Sequence, residues 1–231
     1  MKIALLGYGR MGKTIEKLAT ERGHSIVKTI DQGDDYEFNS ADVAIDFSVP
    51  DAAVANISAC LNAGVPVVSG TTGWLERYDD MVSLCENKKG AFIYASNFSV
   101  GVNIFFELNK QLAKMMQNLQ EYDVSMTEVH HIHKLDAPSG TAITLAEGIV
   151  DHSEKKDWIL DEKQEGKLTI KAIREGEVPG THSINYQSAV DEITIEHKAH
   201  SRNGFALGAI IAAEWLKDKT GVYGMKDVLG L

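Results

Sequence analysis

The sequence contains very little cysteine. Two cysteines, Cys60 and Cys85, occur in 231 residues, and they do not form a Cys-x-x-Cys pair. Both fall within apolar helical patterns, which favours buried free thiols of a reducing compartment over a disulfide framework.

Long hydrophobic runs are also missing. No stretch reaches the roughly 18 apolar residues that a transmembrane helix requires. The N-terminus enters a strand pattern without the charged segment and cleavage site of a signal peptide. We therefore expect no membrane partner and a cytoplasmic location.

Positive charge is in the minority. Lysine and arginine total 23 against 33 aspartates and glutamates, which gives a formal net charge of -10. Because a nucleic-acid surface needs a basic stripe, no nucleic-acid partner is expected. A small anionic substrate remains compatible with this charge, since an acidic protein can hold a local basic pocket.

The first hundred residues alternate strand and helix patterns. Short apolar runs predict strands at residues 2–7, 25–30, 43–47, 64–69 and 91–95, with helices at 13–21, 48–63 and 74–88. This alternation with short connections predicts an α/β fold built on a Rossmann-type doubly wound parallel sheet.

A glycine-rich turn joins the first strand to the first helix. It consists of Gly7, Tyr8, Gly9, Arg10, Met11 and Gly12. Glycines in a strand-turn-helix context let the backbone approach a pyrophosphate, and the helix N-terminus attracts negative charge. We therefore predict that these six residues bind a dinucleotide.

Asp31 ends the second strand pattern, where such folds hold the adenosine ribose. Alone, it fits a turn residue equally well; beside the glycine turn, the ribose role is favoured. A carboxylate repels a 2′-phosphate and so favours NAD, whereas Arg10 and Lys13 could help to bind a phosphate. The expected cofactors are NADH, NADPH or both.

A second candidate cofactor loop follows the strand at residues 64–69. It is formed by Gly70, Thr71, Thr72 and Gly73. Residues just beyond the carboxyl end of a parallel strand lie where open α/β sheets bind ligands. An ordinary strand-to-helix connection is the alternative, and we favour the cofactor role.

The pattern changes after residue 100. We expect a helix at residues 102–119 whose core stripe is Phe105, Leu108, Leu112, Met115 and Leu119. A strand at 122–131, a helix at 141–150, a charged connection without chemistry at 151–166 and three antiparallel strands at 168–174, 180–188 and 191–200 follow. A last helix, 205–217, carries small residues that would allow it to pack on the first sheet.

Two domains follow from this division. Residues 1–100 and 204–231 should form the dinucleotide-binding domain, and 101–203 a second α+β domain for substrate binding and oligomerisation. Its open, mixed or antiparallel sheet could pack against a copy of itself, which predicts a homo-oligomer.

The most informative stretch runs from Glu128 to Ala142. It contains His130, His131 and His133, then Lys134, and a Gly140-Thr141 pair that opens a helix. Histidines move protons near neutrality, lysine adds positive charge, and a helix N-terminus offers N–H groups to an anion. Together they indicate an anionic substrate that must be protonated.

Two other interpretations of this stretch are weaker. A zinc protease site needs His-Glu-x-x-His on one helix, whereas here no glutamate lies between the histidines and Pro138 follows soon after. We therefore predict no metal. A solvated turn explains Asp136, Ser139 and Gly140 but not three histidines beside a lysine.

The same stretch resembles the signature of the 4-hydroxy-tetrahydrodipicolinate reductase (dihydrodipicolinate reductase) family of bacterial lysine biosynthesis. Residues 7–12, 70–73, 96–103 and 201–206 stand in that family's order, so the resemblance spans the whole chain. The histidine motif is specific, whereas the glycine motif alone is not.

The resemblance implies a reaction and a set of residues. NAD(P)H would deliver hydride to C4 of a cyclic imine dicarboxylate, and C3 would then be protonated by His130, with Lys134 as a second donor. His131, Lys134, Gly140 and Thr141 would hold the substrate carboxylates. Ala95, Ser96, Asn97 and Phe98 would join the cofactor residues already named. The family is typically a homotetramer assembled through the second domain's sheet.

The chain departs from the family pattern near the ribose site. Gln32 stands where many NADPH-using relatives have arginine, which weakens the case for an NADPH preference, and the connection before Val43 is short. An aspartate dehydrogenase-like reductase or a non-catalytic dinucleotide sensor is the alternative. Neither would need the histidine–lysine run.

Overall fold

The computed structural model describes all 231 residues and divides them into two compact units. The first unit comprises Met1–Val100 together with Asn203–Leu231, and the second comprises Gly101–Arg202. Each unit has its own sheet and its own hydrophobic core.

The first hundred residues supply alternating strands and helices. They are β1 (Lys2–Leu6), α1 (Arg10–Glu21), β2 (Ser25–Ile30), β3 (Val43–Asp46), α2 (Pro50–Asn62), β4 (Val67–Ser69), α3 (Tyr78–Lys88) and β5 (Ala91–Tyr94). A 3-10 turn, Leu75–Arg77, precedes α3. Every residue of β3 and β4 is buried, as expected of parallel strands covered on both faces.

The second unit contains a mixed five-stranded sheet. Its elements are α4 (Val100–Met116), β6 (Asp123–His130), α5 (Gly140–Val150), β7 (Asp157–Leu160), β8 (Lys167–Arg174), β9 (Thr181–Gln187) and β10 (Glu192–Lys198). The strand order is β10-β9-β6-β8-β7. Central β6 pairs parallel with β8 and antiparallel with β9.

Two expectations for this unit were wrong. β8 is not antiparallel: it runs parallel to both β6 and β7. The segment at 151–166 is not only a connection, because Asp157–Leu160 forms β7. Helix α5 carries the chain back across the sheet, and such a crossover is what allows a parallel pairing. The short apolar run of β7 is hidden among charged neighbours in the sequence.

The apolar stripe predicted for α4 was also partly wrong. Leu108, Met115 and Leu119 are exposed, with relative exposures of 47%, 72% and 44%. The face turned to the core instead carries Val102, Phe105, Asn109, Ala113 and Met116. A helix with apolar residues on adjacent faces does not reveal from periodicity alone which face is buried.

The chain then returns to the first unit through α6 (Asn203–Leu216), β11 (Gly221–Tyr223) and α7 (Met225–Leu229). Helix α6 packs on β3, β4 and β5, with its small residues fully buried, as expected. A side chain at Gly208 would collide with the Phe98 carbonyl. The sequence did not predict β11 or α7.

The completed first sheet is parallel, with the order β11-β5-β4-β3-β1-β2. The expected fold class, a Rossmann-type doubly wound sheet plus a second α+β domain, is confirmed. Cys60 and Cys85 are buried free thiols, as expected. None of the helices combines the length and apolar character needed to span a membrane.

Candidate functional site

The strand order of the first unit's sheet reverses at β1. From β1 the chain moves to β2 on one side, and then to β3 on the other side of β1. Where strand order reverses in this way, the loops beyond the carboxyl ends of the two strands separate and leave room for a ligand. Gly7 follows β1 at this point, and Phe47 follows β3.

The glycine turn is shaped by close backbone packing. Gly7 has a φ of +86°, and a Cβ there would collide with the Phe47 carbonyl. A Cβ at Gly12 would collide with the Gly7 carbonyl, whereas space around Gly9, the N-cap of α1, is open. The first turn of α1 contains no acidic side chain. This geometry suits a pyrophosphate at the helix N-terminus.

The other residues predicted to contact the adenosine side lie on the surface. Asp31 follows β2 and is exposed; its Oδ1 accepts the Gln32 N–H at 2.9 Å, and its own N–H donates to Asp34 Oδ2 at 2.9 Å. Arg10 is exposed, and the Tyr8 hydroxyl donates to Glu16. Asp31 therefore takes part in a turn and is also accessible to a ribose.

The loop after β4 is tied to the loop after β3. Thr71 is buried, and its Oγ1 accepts the Ser48 N–H at 2.8 Å while its carbonyl accepts the Trp74 indole N–H at 2.7 Å. Thr72 and Gly73 are exposed. Phe98, after β5, is 1% exposed and packs in the core, so only its backbone could contact a cofactor.

A buried carboxylate, Asp46, supports these loops and was not singled out from the sequence. It accepts hydrogen bonds from Ser48 Oγ at 2.7 Å, Asn56 Nδ2 at 2.8 Å and Ser69 Oγ at 2.8 Å. Burial raises the pKa of Asp46. The available signal was an aspartate inside an otherwise apolar strand, which needs partners wherever it is buried.

The second unit gathers a polar cluster at the carboxyl end of β6. Glu128 and His130 are two residues apart, so they project from the same face of the strand. His130 Nδ1 lies 3.3 Å from Glu128 Oε2. His182 on β9 stands edge-on to His130, with ring centroids 5.1 Å apart, and its Nε2 lies 3.2 Å from Ser139 Oγ.

Glu128 is fully buried yet remains ionised. Burial alone would raise the pKa of Glu128, but the adjacent His130 imidazole and hydrogen bonds from Ser139 and Arg174 lower it to about 2. The Ser139 N–H lies 3.1 and 3.2 Å from the two carboxylate oxygens, and Arg174 Nη2 lies 3.1 Å from Oε1. By contrast, burial lowers the pKa of His182 to about 4, with the nearby His130 contributing, so this imidazole is neutral near pH 7.

The remaining members of the histidine–lysine run are closer to solvent. Lys134 Nζ lies 2.8 Å from both carboxylate oxygens of Asp136. His131 Nε2 lies 2.8 Å from Arg202 Nη2, and desolvation together with this arginine lowers the pKa of His131. His133 is exposed and pairs with Glu177.

Helix α5 begins directly beside this cluster. Ser139 is its N-cap, and Ser139 Oγ accepts the Ala142 N–H at 3.2 Å. Gly140 is exposed with open space around its α-carbon, and the first turn contains no acidic residue. Gly140 and Thr141 thus stand at a helix end suited to a carboxylate.

The spacing of Glu128, His130 and His182 also raises the question of whether they bind a metal ion. One ligand atom each from Glu128, His130 and His182 lie within 4.8 Å of one another. However, the Glu128 carboxylate already accepts hydrogen bonds from Ser139 and Arg174, and the guanidinium charge opposes a metal ion at that place. The donor set therefore fits a carboxylate-held histidine better than a metal site.

Comparison with known proteins identifies the family of this chain. The profile described as "Dihydrodipicolinate reductase, N-terminus" matches residues 1–98, and "Dihydrodipicolinate reductase, C-terminus" matches residues 101–229. The chain belongs to the dihydrodipicolinate reductase family.

Individual relatives of the family cover nearly the whole chain. The 4-hydroxy-tetrahydrodipicolinate reductase of Christiangramia forsetii is 57% identical over 233 residues, which cover 99% of this chain and 98% of the relative. The reductase of Archaeoglobus fulgidus is 36% identical and covers 99% and 100%. The solved dipicolinate-bound dihydrodipicolinate reductase of Paenisporosarcina sp. TG-14 has a TM-score of 0.77 at 22% identity, with 97% of each chain covered, and shows the same fold.

Family membership confirms several expectations from the sequence. The chain is an enzyme, an oxidoreductase of diaminopimelate and lysine biosynthesis that uses NADH or NADPH. The dinucleotide-binding domain of the family corresponds to residues 1–98. The sensor and aspartate dehydrogenase-like alternatives are thereby set aside.

Sequence reasoning missed four contributors to the polar cluster: Glu128, Ser139, Arg174 and His182. Signals for two of them were present. Arg174 is a charged residue at the end of an apolar strand, and His182 alternates with Ile184 and Tyr186 on the core-facing side of β9. A polar residue at a core-facing position requires a partner.

Proposed function

We propose that this chain reduces the cyclic, conjugated imine formed when 4-hydroxy-tetrahydrodipicolinate loses water, giving tetrahydrodipicolinate. The observation that carries the proposal is the buried, carboxylate-paired His130 beside the N-terminus of α5 in a chain of this family. The substrate is a dicarboxylate, and the related Paenisporosarcina enzyme was solved with dipicolinate, also a dicarboxylate.

The roles of the second unit's residues follow from their charge and position. Bound NAD(P)H supplies a hydride to C4, and the electron pair displaced from the double bond accumulates at C3. His130 donates the proton to C3, and the Lys134 ammonium is a second donor. The positive charge of Lys134 also offsets the negative charge of the substrate. His131, Lys134, Gly140 and Thr141 hold the carboxylates, because this segment combines donors with a helix N-terminus.

The cofactor role falls to the loops of the first unit. The N–H groups that open α1 take the pyrophosphate, Asp31 takes the ribose hydroxyls, and the loops at 70–73 and 95–98 contact the remainder. The open space at Gly9 supports this assignment, since the backbone there can approach a phosphate closely.

The proposed function is tested by following NADH and NADPH oxidation with freshly generated 4-hydroxy-tetrahydrodipicolinate. We expect oxidation with either cofactor, and we expect Asp31→Ala to raise the NADPH/NADH ratio of kcat/KM about tenfold, equivalent to ~1.4 kcal/mol, by removing repulsion of the 2′-phosphate. Asp35→Ala, an exposed acidic residue of the same connection, is the control and should leave the ratio unchanged.

Two results would contradict these assignments. Cofactor binding without oxidation would argue for a different substrate. An unchanged ratio in Asp31→Ala, with normal oxidation, would remove Asp31 from cofactor selection and leave the reaction standing.

We further propose a cytoplasmic homotetramer assembled through the second unit's sheet. The buried members of β9, including Ile184 and Tyr186, face the unit's core, whereas the opposite face carries Ser183, paired with Glu196, and Asn185, paired with Thr194. We expect sedimentation equilibrium to give the mass of four chains, and Asn185→Arg to shift the population toward smaller species. A wild-type monomer at all concentrations would contradict this assembly.

A further inference from the structure

We propose that Glu128 is a positioning residue that keeps a proton on His130 Nδ1, so that the His130 imidazolium donates its Nε2 proton to the substrate and returns to the neutral ring protonated at Nδ1. The same carboxylate holds the N-terminus of α5 beside His130. This inference rests on the proposed function, because it assumes that His130 is the proton source. It assigns a role to a side chain that does not itself touch the reacting atoms.

The first support is the isolation of the Glu128–His130 pair. Glu128 is 0% exposed and His130 is 8% exposed, so water does not compete strongly for either group. His130 Nδ1 is buried and makes no hydrogen bond of good geometry; Glu128 Oε2, at 3.3 Å, is the charged acceptor that faces it. A carboxylate facing one ring nitrogen selects the tautomer that carries its proton there.

The second support is that the carboxylate is fixed in place. The Ser139 N–H reaches both of its oxygens, and Arg174 Nη2 binds Oε1 while also donating to the Asp136 carbonyl at 2.6 Å. Rotation of the Glu128 side chain away from His130 would therefore break hydrogen bonds from two other elements. A buried acceptor that loses such partners is costly.

The third support lies on the opposite edge of the imidazole. Gly180, just before β9, has a φ of +154°, and a Cβ there would lie 3.0 Å from His130 Nε2. Glycine leaves this edge of the ring clear where other residues would crowd it. Nδ1 therefore faces the fixed carboxylate, whereas beside Nε2 only a residue without a side chain fits without crowding the ring.

The charges around His130 come from every neighbouring strand. Glu128 on β6 is negative, Arg174 on β8 is positive, and His182 on β9 stays neutral, while Lys134 adds positive charge from the following loop. Glu128 is the negatively charged member of this group. Its removal would leave Arg174 without its buried carboxylate partner, while Lys134 would keep its pairing with Asp136, and would disfavour the protonated imidazole.

The same carboxylate couples the proton donor to the anion site. Ser139 is both a hydrogen-bond donor to Glu128 and the N-cap of α5. One buried group therefore sets the position of His130 and of the helix end proposed to hold a substrate carboxylate. Loss of Glu128 should lower kcat and raise the substrate KM together, whereas NADH affinity should not change.

The test begins with unaltered Glu128, so it does not depend on whether a Glu128 variant folds. Magic-angle-spinning 15N spectra of histidine-labelled enzyme with bound NADH, with His130 assigned from His130→Gln, should show protonated Nδ1 and unprotonated Nε2 in the neutral ring. A neutral His130 protonated mainly at Nε2 would overturn the proposal.

Glu128→Gln then tests the consequence, with Glu177→Gln as the matched control because Glu177 pairs with the exposed His133. We expect kcat to fall on the order of 10- to 100-fold in Glu128→Gln, by analogy with carboxylates that orient metal-bound histidines through the second ring nitrogen. The pH profile of kcat/KM should shift to lower pH, because the protonated imidazole loses its carboxylate. Glu177→Gln should match the wild type in both.

The outcomes separate this inference from the proposed function. Normal turnover in His130→Gln would remove the proton source and with it both proposals. Loss of turnover in His130→Gln with an unchanged kcat and pH profile in Glu128→Gln would overturn the positioning role alone. If Glu128→Gln does not fold, as judged by NADH binding, the tautomer measured in the wild type still decides the proposal.

Discussion

His130→Ala is expected to lower kcat on the order of 100- to 10,000-fold, the range that a positioned general acid contributes. The reason is that the electron pair displaced to C3 would have no nearby proton source, and the buried surroundings of His130 admit little water. NADH affinity should remain within a factor of about two, because the substitution leaves every residue proposed to bind the cofactor unchanged. Stopped-flow NADH oxidation and fluorescence titration measure the two quantities separately.

The control for this variant lies three residues along the chain. His133→Ala removes an imidazole of the same run that is exposed and ion-paired with Glu177, and it should leave kcat unchanged. His130→Gln tests whether bulk at this position matters, since glutamine fills part of the space but cannot act as an acid. A rise in KM with an unchanged kcat in His130→Ala would make His130 a binding residue rather than the proton donor.

The sequence predicted the first unit well because its signals are local. The strand at Lys2–Leu6, the glycine turn and the helix at Arg10–Glu21 follow one another without interruption, so each supports the interpretation of the next. The second unit was harder to predict from its sequence. The sequence of β8 has the pattern of any half-buried strand. Its parallel pairing with β6 depends on the path that the chain takes through α5, and the residues of β8 do not reveal that path.

Only part of the candidate site could be proposed from the sequence alone. The histidine–lysine run and the helix start are contiguous in sequence, so their chemistry could be inferred from residue types alone. The residues that fix them are not contiguous: Arg174 comes from β8 and His182 from β9, 44 and 52 positions after His130 (174 − 130 and 182 − 130). Only strand order reveals that both stand beside β6.

The buried Glu128 illustrates why partners at long range matter. An isolated carboxylate would gain a proton on burial, yet its hydrogen bonds hold the pKa at about 2. Its ionised form is therefore available to His130 at any pH where the enzyme works. Nothing in the Glu128–Ala142 stretch alone shows this, because the Arg174 guanidinium that contributes lies outside it.

Lys134→Ala is expected to lower kcat about 100-fold and to raise the substrate KM, with NADH affinity unchanged. The ammonium now binds both oxygens of Asp136, yet it has three donor hydrogens, so it can keep this contact and still donate to a substrate. Asp136 holds the ammonium near its loop, so Asp136→Asn should weaken positioning without removing the charge.

The kcat and KM of Lys134→Ala together decide what Lys134 contributes. Lys163→Ala, a lysine with an 88% exposed side chain that only approaches Asp123 at 3.9 Å, is the control for loss of one positive charge and should behave as wild type. If Lys134→Ala raises KM alone, its charge binds the carboxylate and His130 supplies the proton unaided. If kcat falls as well, the charge also stabilises the step in which the electron pair moves to C3, because that step concentrates negative charge next to the ammonium. Normal values of both constants would remove Lys134 from the mechanism.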